Sequence, residues 1–122
     1  MSGRPHRTQG GPEVLAADIA LSAGFGTTAT VAVEDGASDV GGRFTVTSAG
    51  TGQGANPTAT LTFKKAFDGV PTIVCSRGNE TGDDQLSIPV IVKASKTMAI
   101  FTLVGTPVAA ETYSVSFVAL DY

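Results

Sequence analysis

The chain has 122 residues, of which 42% are hydrophobic, and its 8 basic and 11 acidic side chains give a formal net charge of −3. This length suffices for one domain with its own core and is too short for two. No hydrophobic segment approaches the roughly 18 residues of a membrane helix, so we expect no membrane insertion. The acidic balance argues against nucleic-acid binding, which normally needs a clustered basic surface.

The first twelve residues form a faintly basic segment that is rich in glycine and proline. Its charged side chains are Arg4 and Arg7, and the other 110 residues carry 6 basic and 11 acidic side chains, a net charge of −5. The segment has too few apolar groups to order on its own. Two interpretations stay open: a flexible terminus, or a tether that orders on a larger partner. It lacks the pattern of a secretory signal, and Cys75 is a single cysteine, so we expect assembly in the cytosol.

Residues 13–21 are the one ambiguous segment. The run Val14-Leu15-Ala16-Ala17 favours a helix by propensity, but its length allows barely two turns. We therefore predict a flexible N-terminal arm over residues 1–20, with a short helix or an irregular lead-in, and a folded domain over residues 21–122.

From residue 27 onward the patterns are those of β-strands. In Thr58–Phe63 three apolar residues alternate with three threonines, so one face of the strand is apolar and the other is half polar. Turn residues recur roughly every ten positions, which is typical of two packed antiparallel sheets. We predict an all-β protein, an antiparallel β-sandwich that is jelly-roll-like and has about eight strands. Predicted strands cover 27–34, 43–47, 58–64, 71–76, 86–93, 97–104 and 112–120.

The last strands carry more apolar side chains than one buried face requires. Both faces of 98–104 are apolar, and Val118 and Leu120 lie opposite the apolar face that begins at Tyr113. A sandwich strand needs only one apolar face. Either a second copy of the chain covers the surplus, or a central strand is buried within the monomer. The first interpretation predicts a homo-oligomer whose interface contains Phe101, Leu103, Val118 and Leu120.

Residues suited to catalysis are scarce. His6 is the only histidine and lies in the predicted arm, so no nucleophile and histidine can be held together rigidly. Cys75 lies in an apolar strand, which is typical of a buried inert thiol. The acidic residues of 34–39 and 83–84 flank glycines and lack the spacing of a calcium loop, which favours solvated turns. We expect no enzyme activity, no metal and no cofactor.

The longest polar insertion in the body runs from Arg77 to Gln85. Exposed polar loops on a rigid scaffold are frequent contact surfaces. The candidate ligand-binding residues of this loop are Arg77, Asn79, Asp83, Asp84 and Gln85.

The order of the motifs is similar to that of a known group of domains. An acidic-glycine turn, a Thr/Val strand and a Gly-Thr-Gly turn follow one another within 33–52. They are succeeded by the segments 59–67 and 70–74, a strand with Phe101, and 112–117. This succession resembles the compact β-sandwich domain of tailed-bacteriophage virion surface proteins, namely capsid-decoration and head-fibre proteins and the tips of tail fibres. The similarity covers residues 27–122.

The resemblance implies a non-enzymatic homotrimer on the virion surface. The chain has no shaft, collagen-like repeat or heptads, which favours a capsid-decoration or head-fibre protein that binds the major capsid protein. The alternative is an adhesin at a fibre tip whose loop at 77–85 binds a host cell-surface glycan, although many relatives have small residues there. For the first function, the expected capsid-binding residues are Arg4, His6, Arg7, Val14 and Leu15.

Overall fold

The computed structural model describes residues 13–77 and 90–120. These residues form eight strands in two antiparallel four-stranded sheets, which confirms the predicted all-β sandwich. Two short 3₁₀ turns, Ala16–Asp18 and Ala23–Phe25, lie on either side of the first strand. The strands are β1 Ile19–Leu21, β2 Thr30–Val33, β3 Gly41–Thr47, β4 Thr58–Thr62, β5 Thr72–Arg77, β6 Val90–Ala94, β7 Met98–Leu103 and β8 Thr112–Leu120.

The two sheets exchange strands along the chain. Sheet I has the order β1-β4-β7-β6 and sheet II has the order β2-β3-β8-β5. Consecutive strands such as β3 and β4, or β7 and β8, therefore lie in different sheets, and the connections between them cross from one layer to the other. This strand order does not confirm the jelly-roll description, which stays a prediction.

Strict alternation decides which residues of each strand enter the core. In β4, Ala59 and Leu61 are buried and the three threonines are not. In β3, Phe44 and Val46 are buried in the same way, two residues apart. Because successive side chains of a strand point to opposite faces, each strand presents one apolar face to the other sheet.

Three phenylalanines join the sheets at the centre of the core. Phe101 of sheet I lies edge-on to Phe44 of sheet II, with ring centroids 5.4 Å apart, and 5.6 Å from the ring of Phe117. Each ring is at most 3% exposed. Edge-to-face and tilted aromatic pairs at such distances add about 1 kcal/mol beyond their area burial. This cluster fixes the two layers in one relative position.

The sandwich begins earlier in the chain than predicted. Val14 and Ile19 are buried in the core, and β1 pairs with β4 through Ile19 and Leu61. Residues 13–20 therefore belong to the sandwich, and assigning them to a flexible arm was wrong. In place of the expected short helix the segment contains the 3₁₀ turn Ala16–Asp18, because Val14 and Ile19 are both buried and the four residues between them hold no more than one turn.

Candidate interaction surface

An apolar strip lies on the outer face of sheet II. In the pairing of β5 with β8, Val74 lies opposite Val118 and Thr72 lies opposite Leu120. The side chains of Val74, Val118 and Leu120 are 58%, 48% and 40% exposed. Directly opposed residues of an antiparallel pair have Cβ atoms about 5 Å apart, so the side chains of Val74 and Val118 are neighbours, and Leu120 lies two residues further along the same face of β8. We call Val74, Val118 and Leu120 the apolar strip.

The sequence of β8 explains why the strip faces solvent. Tyr113, Val115, Phe117 and Ala119 are all buried, and they occupy alternate positions of a nine-residue strand. The residues between them therefore point away from the core. At 112, 114 and 116 these residues are Thr or Ser, of which Ser114 is buried, and only towards the end of the strand do they become the exposed Val118 and Leu120.

A shallow depression of about 160 Å³ lies over the strip. Val74, Ser76, Ser116 and Val118 line it together with parts of Cys75 and Phe117. Cys75 is half-buried, and its thiol lies 3.9 Å from the carbonyl oxygen of Val90, to which it donates. Burial raises the pKa of the Cys75 thiol, which keeps it protonated and unreactive at neutral pH.

Two of the four predicted interface residues are not at the surface. Phe101 and Leu103 are 2% and 3% exposed and point into the core, so the prediction that they contact a second copy was wrong. Both faces of β7 are apolar in sequence, and the pairing with β4 places these two inward with Ala99. Val118 and Leu120, the other two, lie on the outer face as predicted, and their contact with a partner stays a prediction.

The exposed part of the outer face of sheet I is less apolar than the strip on sheet II. Met98 and Ile100 of β7 are half-buried there, flanked by the threonines of β4. Ile91 of β6 is exposed to 59%, but it is followed on the same face by the charged residue Lys93. The larger continuous apolar exposure is thus on sheet II.

A second, polar depression of about 260 Å³ lies at the β2–β3 side of sheet II. It is lined by Glu34 and Arg43, whose side chains form a salt bridge at 3.1 Å, and by residues 32, 33, 44 and 45 of the two strands. Both partners are substantially exposed, so this pair contributes little to stability. Because Arg43 is paired with Glu34, its charge is compensated on the outer face of sheet II.

The arm joins the sandwich at a defined place. Glu13 forms a β-bridge with Ser38, and the Val14 amide donates to the carbonyl oxygen of Ala37 at 3.0 Å. Val14 is 3% exposed and part of the core, so its prediction as a capsid-binding residue was wrong. Leu15 is half exposed beside it and stays a candidate. The other predicted arm residues, Arg4, His6 and Arg7, lie outside the described residues.

Asp39 is not the solvated turn residue that its glycine neighbours predicted. It is 2% exposed, and its carboxylate accepts hydrogen bonds from the backbone amides of Lys64 and Lys65 at 3.2 and 3.1 Å. Its partners lie 25 and 26 residues away in the chain, which no local pattern reveals. Asp39 thereby ties the start of β3 to the connection after β4, beside the point where the arm enters.

The predicted ligand loop falls largely outside the described residues. Arg77 ends β5, where its backbone pairs with Val115. Asn79, Asp83, Asp84 and Gln85 lie in 78–89, which the structure does not describe. A glycan-binding role for this loop stays a prediction.

Within residues 13–77 and 90–120, no cluster of three or more His, Cys, Asp or Glu side chains is placed to hold a metal ion. In the same residues, no helix has the length and apolar character needed to span a membrane. Comparisons of the chain with protein-family models, with curated proteins and with solved structures gave no match.

Proposed function

We propose that the protein is a structural component of a bacteriophage virion, of the capsid-decoration or head-fibre type. In this function it binds the outer capsid as a homotrimer, through its N-terminal arm, and has no catalytic role. The phage setting rests on the resemblance of residues 27–122 to virion surface domains. The observation that carries a binding function is the apolar strip.

The strip supports a protein-binding function because its exposure has a cost. Val74, Val118 and Leu120 are neighbours on one face and are each at least 40% exposed. Burying apolar surface is favourable by about 25 cal/mol per Å², and contiguous apolar exposure on a soluble domain commonly marks a contact. Val70, Ile91 and Val108 are also exposed, but Val70 and Val108 lie outside the strands and Ile91 lies opposite Thr102, whereas Val74 lies opposite Val118.

The entry point of the arm supports an orientation on the capsid. The bridge between Glu13 and Ser38 places residue 13 at the end of the sandwich where β3 begins. The same end contains the connection held by Asp39. An arm bound to the capsid would therefore place this end of the sandwich next to the capsid surface. The glycine-rich loop of 50–54 would then point away from the capsid.

The mechanism follows from linked binding sites. Three arms on one trimer raise the effective concentration of the second and third arm once the first is bound. A trimer that spans neighbouring capsid subunits adds contacts that must be lost before those subunits separate, so it stabilises the shell by mass action. The sandwich acts as the rigid hub that holds the arms at a fixed spacing.

Deleting residues 1–12 tests this function. We expect the shortened chain to keep its fold and its oligomeric state. It should no longer co-sediment with capsids prepared without this protein. The matched control is a chain of full length in which Arg4 and Arg7 are kept and Thr8 and Gln9 are exchanged for serine. Undiminished capsid binding by the deletion variant would contradict the proposal.

A further inference from the structure

We infer that the apolar strip of Val74, Val118 and Leu120 is the surface through which copies of this chain associate. The inference deepens the proposed function, and rests on it only for the number of copies. The strip itself is established by the register of β5 with β8 and by the exposure of its three side chains.

Within residues 13–77 and 90–120, the neighbours of the strip on the outer faces of β5 and β8 are uncharged. On its side of β8 the other residues are Thr112, Ser114 and Ser116, and on its side of β5 they are Thr72 and Ser76. The nearest basic residue on the outer face of β3 is Arg43, which lies opposite Ser116 and is held by Glu34. Over residues 72–76 and 112–120, an acidic or basic partner would find no complementary charge.

The net charge of residues 13–122 also favours a second copy of the chain as the partner of the strip. Residues 13–122 carry a formal net charge of −5, so two copies repel one another over most of their surfaces. A neutral face is where two such bodies can approach without opposed charges in contact. In a cyclic trimer, the same neutral strip of each copy can meet the other two at the three-fold axis.

The arm of the same chain is a poor cover for the strip. Residues 1–12 contain glycine, proline, threonine, arginine and histidine, and Met1 is their only large apolar side chain. Covering two valines and a leucine with such a segment would leave most of their apolar surface unmatched. A second strip, in contrast, offers valine and leucine against valine and leucine.

The area of the strip is large enough for the centre of an interface but not for a whole interface. A standard interface buries roughly 800 Å² on each partner, more than three half-exposed side chains provide. Interfaces usually have an apolar centre and a polar rim. Here Thr72, Ser76 and Ser116 surround the strip and supply such a rim, with short side chains that allow close approach.

The experiment is sedimentation equilibrium on the full chain and on two variants. The first variant is Val74→Thr with Val118→Thr, which keeps the β-branched shape while removing apolar surface. The control is Ile91→Thr on the outer face of sheet I, since Ile91 is exposed to 59% and Val74 to 58%. Thermal unfolding of each variant shows that the sandwich is folded at the temperature of measurement.

We expect the unmodified chain to associate, the double variant to associate at least about tenfold more weakly, and Ile91→Thr to associate like the unmodified chain. A monomeric unmodified chain would overturn the inference. So would a double variant that associates normally, or a control that associates as weakly as the double variant.

The capsid experiment separates this inference from the proposed function. If the chain binds capsids through its arm while the double variant still associates normally, the inference fails and the function stands. If the chain associates through the strip and binds capsids equally well without its arm, the function fails and the inference stands.

Discussion

Replacing Phe101 with alanine distinguishes a core position from an interface position. Phe101 is 2% exposed and contacts the rings of Phe44 and Phe117 at 5.4 and 5.6 Å. Removing a buried phenylalanine side chain costs about 3–5 kcal/mol, and more when the site cannot collapse. Its two partners belong to β3 and β8, which pair along their length from Gly41 to Thr47. They cannot move into the cavity separately, so we expect about 4 kcal/mol.

The assay is urea unfolding followed by far-ultraviolet circular dichroism at two protein concentrations. For a core position, the loss of free energy of unfolding is the same at both concentrations. For an interface position, the loss changes with concentration, because dissociation contributes to the measured stability. Val118→Thr is the matched comparison, and we expect it to alter the monomer's stability by less than about 0.5 kcal/mol.

A Phe101→Ala variant whose free energy of unfolding lies within about 1 kcal/mol of that of the unmodified chain would show that Phe101 is not a core residue. A loss that vanishes on dilution would show the same, since that would place Phe101 between copies. Either outcome would restore the interpretation in which β7 faces a partner.

Three further predictions concern positions where the backbone is constrained, each measured by the urea midpoint. Asp39→Ala leaves two backbone amides without their acceptor and should cost about 2 kcal/mol or more, whereas Asp39→Asn keeps one acceptor and should recover part of it. Gly42→Ala places a Cβ 2.4 Å from that of Ala37 and should cost about 1–3 kcal/mol, while Gly69→Ala, with open space around it, should stay within about 0.5 kcal/mol. Ala110→Gly should stabilise the fold by about 0.5 kcal/mol, because Ala110 has φ of 72°, which glycine adopts without strain. An unchanged midpoint for Gly42→Ala or a lowered one for Ala110→Gly would contradict these assignments.

Most of the strands were predictable because they are long enough to show their alternation. In β4 the alternation of threonine with Ala59 and Leu61 identified both the strand and its buried face. The same reasoning missed β1, whose three residues, Ile19–Leu21, are too few to show an alternation and follow a segment of helical propensity. It is held in sheet I by pairing with β4, a contact some forty residues distant in sequence.

The candidate surface was predictable in part. Val118 and Leu120 stood out because β8 is apolar on both faces only near its end, and the structure exposes both. Val74 was missed because exposure depends on the register of β5 with β8, which the sequence of β5 alone does not contain. Phe101 and Leu103 were misassigned because a strand with two apolar faces does not reveal which one meets the other sheet. Asp39 was misassigned because its partners are distant in the chain.

The most direct test of the central claim is the mass of the unmodified chain in solution as a function of concentration. Association through the apolar strip predicts a mass that rises with concentration to a small multiple of the 12.3 kDa of one chain, three times that mass for the proposed trimer. A mass that stays at 12.3 kDa at the highest attainable concentration would contradict the account.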